Sequence, residues 1–186
     1  MGERVALQRR ALSAKGATVA ITTASAATAR EINKAIQHDR RNWLQGASLR
    51  LRDGTRVWAG DCIATRRNDG SLVATGGASA RNRQTWKVTS VRGEGSFTAA
   101  HPERGEVVLS AAYVARHVEL GWAVTGYGNQ GVTVDHGICV VERSTSRAGL
   151  YVGMTRGRER NVAWVLDATG TDDPAETLSS IVARPA

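Results

Sequence analysis

Between Gly46 and Ser110 the residues alternate apolar and polar with a period of two, and this limits the folds open to the chain. The segments SLRLR, TRVWAG, DCIATRR, SLVATGG, TWKVTSV, SFTAA and EVVLS are separated by Gly-containing turns such as Asp53-Gly54 and Asp69-Gly70. Short strands broken by turns roughly every 8 to 12 residues describe a small antiparallel β-barrel. The barrel is expected at about residues 47–110.

The flanks follow a different period. Val5, Leu7, Ala11 and Leu12 give Glu3 to Ala14 helical spacing, and Lys15-Gly16 supplies a C-cap. Thr18 to Thr23 reads as a short buried strand. A second helix, capped by Ser25 or Thr28, carries Ala29, Ile32, Ala35 and Ile36 on one face and runs to about Leu44. Beyond the alternating segment, Ala111 to Val118 predicts a short helix, and Trp122 to Thr125, Ile138 to Val141 and Val162 to Leu166 predict strands. Ser146 to Thr155 is helical in spacing, through Ala148, Leu150, Tyr151 and Met154. Strands alternating with helices indicate an α/β layer. The expectation is one α/β domain, residues 1–46 and 111–168, interrupted by the barrel and followed by a loose tail, 169–186, with one short helix.

Positive charge gathers in the middle of the chain. From Arg40 to Arg92 there are eleven basic residues and three acids, an excess equal to the net charge of the whole protein, +8. Such a field draws polyanions, and arginine forks suit phosphate oxygens. Trp43, Trp58 and Trp86 lie among the cations and are candidate stacking platforms for unpaired bases, although a tryptophan in a small barrel is more often core. Hydrophobic residues at 41% and charged residues at 23% place the chain among globular proteins. No apolar run approaches the roughly 18 residues of a membrane span, so a cytoplasmic protein with no membrane partner is expected. Cys62 and Cys139 stand far apart and read as small buried hydrophobes, and His38, His101, His117 and His136 are scattered; no metal site is expected.

Two segments carry the chemistry. The first, Ala123 to Asp135 (AVTGYGNQGVTVD), contains Gly126, Gly128 and Gly131 in the G-x-G-x-x-G spacing of dinucleotide-binding loops. Only six residues separate Gly131 from Ile138, too few for the helix of a dinucleotide-binding crossover, so that reading is set aside. The second, Leu150 to Arg160 (LYVGMTRGRER), places arginines at the end of a predicted helix, where they would pair with its last carbonyls.

Taken in order, the two segments resemble motifs V and VI of superfamily 1B, RecD-like helicases, including the helicase module of conjugative relaxases. Ala123, Thr125, Gln130, Gly131, Thr133 and Asp135 match the first motif, and Tyr151, Val152, Thr155, Arg156 and Arg158 the second. The resemblance implies the second RecA-like domain of a DNA helicase, interrupted by an SH3-like barrel. It assigns Arg156 as an arginine finger for the γ-phosphate, puts Gln130, Gly131 and Arg158 at the nucleotide-facing cleft, and turns Thr125 and Tyr127 to single-stranded DNA. Arg66, Arg67, Asn68 and Trp86 of the barrel would hold or guide that strand. Tyr127 stands where the family pattern has His; it can stack on a base but is a poor proton donor at neutral pH.

A helicase motor also needs a P-loop, G-x-x-x-x-G-K-[ST]. None of the three lysines, Lys15, Lys34 and Lys87, lies in that pattern. ATP and Mg2+ are therefore expected to bind only when a P-loop domain is supplied in cis or in trans.

Overall fold

Helix α1 (Gly2–Ser13), strand β1 (Val19–Thr23) and helix α2 (Ala26–Arg40) open the chain. The short strands follow: β2 (Ser48–Arg50), β3 (Arg56–Trp58), β4 (Cys62–Thr65), β5 (Asp69–Val73), β6 (Ser79–Ala80), β7 (Thr85–Val91), β8 (Phe97–His101) and β9 (Gly105–Leu109). Helix α3 (Ala111–His117) and strand β10 (Val118–Leu120) lead to β11 (Ala123–Thr125), β12 (Val134–Val141), α4 (Arg147–Gly153), β13 (Gly157–Val165) and α5 (Pro174–Val182). The computed structural model describes residues 1–166 and 173–185. Of the expected loose tail, residues 169–172 and 186 lie outside the described residues, and the remainder carries α5.

The chain forms two units, Met1–Ile36 with Ala123–Ala186, and Gln37–Trp122. The first is a mixed α/β layer around a four-stranded parallel sheet of order β11-β1-β12-β13. Its two inner strands are the apolar ones, with Ile21, Ile138, Val140 and Val141 at 1% exposure or less, as a sheet covered on its faces requires. Ser25 caps α2 by accepting from the Thr28 backbone amide, and Ile32 and Ile36 enter the core. Buried Asn33 bonds both the amide and the carbonyl of Ala123, satisfying backbone groups on the edge strand β11. Cys139, Val141, Leu150 and Ile181 form a further cluster. There α4 approaches β12 so closely that a Cβ at Gly153 would collide with the Cys139 sulfur. The arginines expected at a helix end are placed differently: α4 stops at Gly153, Arg156 lies in the turn, and Arg158 and Arg160 sit on β13.

The second unit is wider at both ends than the 47–110 segment. Its main sheet is antiparallel, order β10-β4-β7-β8-β9, beside the hairpins β2-β3 and β5-β6. Val57, Ile63, Trp86, Val88, Phe97 and Leu109 form its core. The expected closed barrel is not seen: among the described residues β9 and β10 end the sheet as separate edges. Alternation specifies which face of each strand is buried, and closure depends on whether the last strand returns to the first. Here β10, arriving after α3, takes the place beside β4. Cys139 is buried as expected, whereas Cys62 is half-buried.

Candidate functional site

In the parallel sheet, the carboxyl ends of β1 and β11 and the loop after β12 border a cleft of about 290 Å³. This is the end at which open α/β sheets bind ligands. Thr23, Thr125, Tyr127, Gln130 and the hydroxyls of Ser144 to Ser146 line it, with no acid or base among the lining residues. Its rim is braced. Glu142 accepts from the amide and hydroxyl of Ser25, Thr145 Oγ1 accepts from the Glu142 amide, and Ser146 caps α4 at Gly149.

The loop from β11 to β12 forms one wall. Gly126 to Gly128 make a single 3-10 turn that presents Tyr127 at 71% exposure. Asn129 follows at 5% exposure; its side-chain amide donates to the Ile21 carbonyl at 3.0 Å and to Thr22 Oγ1 at 2.8 Å. Gly131 is exposed with φ +81°, a conformation that favours glycine. The chain then enters β12 directly. No helix follows the three glycines, which removes the dinucleotide fingerprint on structural grounds as well as on spacing.

Arg156 stands at the other end of the sheet, immediately before β13, where its carbonyl accepts from the Val134 amide at the start of β12. Its guanidinium gathers acceptors: Nε donates to the Val152 carbonyl at 2.9 Å, Nη2 to Thr155 Oγ1 at 2.8 Å, and Nη1 to the carbonyls of Asn129 and Val132 at 3.4 and 3.3 Å. Nearby, Asp135 Oδ2 accepts from the hydroxyl and amide of Thr18, and Oδ1 from Arg158 at 2.7 Å. The Thr18 bonds, then the Arg158 guanidinium, hold its carboxyl well below the usual carboxylate range.

The site residues named from sequence therefore fall into groups. Thr125, Tyr127 and Gln130 share the cleft; Gln130, expected to face nucleotide, lies with the residues expected to face DNA. Arg156 and Arg158 lie where β13 begins. In the Gln37–Trp122 unit, Arg66 pairs with Glu119 at 2.9 Å, Arg67 is exposed, and Asn68 Oδ1 accepts from the Asn82 amide. Trp86 is corrected: at 1% exposure its ring fills the core and offers no face to a base. Thr18 and Asn129 were missed, because the motif pattern leaves position 129 open and Thr18 reads only as the first residue of a short buried strand.

A parallel sheet packed with helices, with its cleft at the carboxyl ends of the strands, is an open α/β layer, and it resembles a RecA-like helicase domain. Among solved structures the chain is similar to the Pif1 helicase from Bacteroides in complex with ADP-AlF3 and ssDNA, with a TM-score of 0.56 and 16% identity over 87% of this chain and 44% of that one. Bacteroides Pif1 bound to ssDNA gives 0.51 and 15%, covering 87% and 44%, and the Pif1 helicase from Candida albicans 0.50 and 12%, covering 87% and 48%. At these identities the likeness is one of fold, shared with under half of each helicase. No family model matches. Two uncharacterised Mycobacterium tuberculosis proteins, MT2373 of strain CDC 1551 / Oshkosh and Rv2311 of strain H37Rv, are each 35% identical over 91 residues, 48% of this chain and 52% of theirs. The chain thus spans about half the length of these relatives.

Proposed function

We propose that the chain is the second RecA-like domain of a superfamily 1B DNA helicase motor of the relaxase-helicase type, with its inserted β unit standing where that family carries an SH3-like insertion. It supplies single-strand DNA contacts and an arginine finger to an ATPase site whose P-loop lies on another domain, in cis or in trans. ATP and Mg2+ are held only when that domain completes the site. The observation that carries the reading is the Arg156 clasp, which ties motif VI to the motif V loop while the other end of that loop presents Tyr127 at the cleft.

Phosphoryl transfer is accelerated mainly by positioned cations that meet charge developing on the γ-phosphate. Four of the five guanidinium hydrogens of Arg156 are already committed. The two long Nη1 bonds are the ones a phosphate would replace most readily, since hydrogen bonds weaken as they lengthen and charge-assisted ones are stronger. Replacing them releases the carbonyls of Asn129 and Val132. Nucleotide engagement is thereby linked to the loop that bears Tyr127.

The test is rescue of ATP hydrolysis when the chain is mixed with a P-loop helicase domain, in the presence of single-stranded DNA. Rescue by the wild type and its loss with Arg156→Ala, by about 10³-fold or more, is expected. Equal rescue by both would reject the finger. The concentration of arginines between Arg40 and Arg92 favours a second reading, a basic nucleic-acid-binding module without ATPase function. That reading expects unchanged DNA binding after Arg156→Ala and Gln130→Ala, and no rescue.

A further inference from the structure

The β2–β3 hairpin carries a charge arrangement that the hairpin does not need for its own stability. In its antiparallel register Ser48 opposes Trp58, Leu49 opposes Val57 and Arg50 opposes Arg56. Val57 is fully buried and Leu49 packs against the core, so alternation puts Ser48, Arg50, Arg56 and Trp58 together on the opposite face. Arg50 and Arg56 are exposed and directly opposed, a pairing of like charges that works against the hairpin. The hairpin's one acid, Asp53, is occupied with the amide and hydroxyl of Thr55. Arg56 Nε donates to the Ser48 hydroxyl, and among the described residues Arg50 and Arg52 have no partner for their guanidiniums.

The base of this face is held firmly. Asp61 is fully buried, and its Oδ2 accepts from the Trp58 amide at 3.1 Å and from Gln37 Nε2 at 2.8 Å; the same Gln37 amide donates to the Arg56 carbonyl. Trp58 is half-buried and, by the strand register, shares this face with Arg50 and Arg56. Uncompensated guanidiniums on one face with a half-buried aromatic residue, its backbone anchored to Asp61, suit a ligand with repeated anionic oxygens and flat, unpaired rings.

We infer that the β2–β3 hairpin is a contact site for a single-stranded nucleic acid, with Arg50, Arg52 and Arg56 taking backbone phosphates and Trp58 stacking on a base. The inference extends the helicase reading to a surface of the inserted unit separate from the Arg66-Arg67-Asn68 turn.

The experiment is a fluorescence-anisotropy titration of the full chain with labelled dT12 at several NaCl concentrations, repeated with an abasic strand and a duplex of equal length. Arg50→Gln/Arg56→Gln should weaken binding by about 10-fold at low salt and flatten the slope of log K against log salt by about 1.4, since each phosphate contact contributes about 0.7 for single strands. Its thermal midpoint should equal or exceed that of the wild type, which an arginine pair with a structural role would not allow. Trp58→Ala should weaken dT12 binding by about 5- to 100-fold, leave the abasic strand unaffected, and be largely rescued by Trp58→Phe. An unchanged salt slope in the arginine variant, tighter binding to the duplex, or no binding by the wild type at low salt each overturns the proposal. Tyr127→Ala separates it from the helicase reading. Loss of affinity on Tyr127→Ala with the hairpin variants silent removes the hairpin alone; the reverse pattern, with no ATPase rescue, removes the helicase reading alone.

Discussion

Arg156 Nη1 donates to the backbone carbonyl of Asn129, so the residue that precedes β13 holds the loop that follows β11. The Asn129 side chain is in turn bonded to Ile21 and Thr22 on β1. One buried asparagine thus connects a central strand, through its side chain, to the candidate finger, through its backbone carbonyl.

Asn129→Ala removes the two buried donations to the Ile21 carbonyl and the Thr22 hydroxyl. A cost of about 1–3 kcal/mol is expected. Urea unfolding of the variant measures it, and a midpoint equal to that of the wild type would show that the amide does not anchor the loop.

Asp135 governs part of the acid limb of the stability curve. Its folded-state carboxyl titrates below the unfolded value of about 3.9, so its contribution is complete above that pH and is lost as pH falls toward the folded value. Unfolding curves of the wild type and Asp135→Asn should keep a constant separation from neutral pH down to about pH 5 and converge below about pH 4. Convergence at higher pH would assign the effect to another group.

Gly153→Ala drives a methyl group against the Cys139 sulfur. Overpacking of this kind costs about 1–3 kcal/mol. Adding Cys139→Ala should recover only part of the loss, because it removes the sulfur and keeps the Cys139 Cβ, itself 2.9 Å from the new methyl group. A strictly additive pair of substitutions would mean that the two residues are not in contact.

Burial pushes the Cys139 thiol up to about 11, so at neutral pH nearly all of it is protonated and unreactive. Maleimide labelling of the native protein should modify the half-buried Cys62 well ahead of Cys139. Equal labelling would require frequent opening of β12.

Element types were legible where side-chain period and burial agree, as in α2, whose Ala29, Ile32 and Ile36 both pattern and bury. Lengths were less so. The apolar run Ile138 to Val141 marks only the second half of β12; the first half, with Asp135 and His136, is strand because its backbone pairs with β1 and β13, which an apolar count does not register. Arg158 and Arg160 similarly sit on β13 with outward side chains. Within the candidate site, Thr125, Tyr127 and Gln130 meet in one cleft, whereas the burial of Trp86 depends on β7 lying inside the five-stranded sheet, an order that local sequence does not encode.

The parallel pairing of β1 sets a sequence of events during synthesis. Ile21 finds its strand partners in Ala123 and Ile138, and all of Gln37–Trp122 leaves the ribosome before either. The inserted unit is compact in itself and can assemble while VAITT waits without a ladder. Non-local strand pairing is slow, and an apolar strand left open is prone to wrong association. A nascent chain halted short of Ala123 would therefore carry a finished insert behind an unpaired, sticky β1, the species on which a chaperone would be most needed.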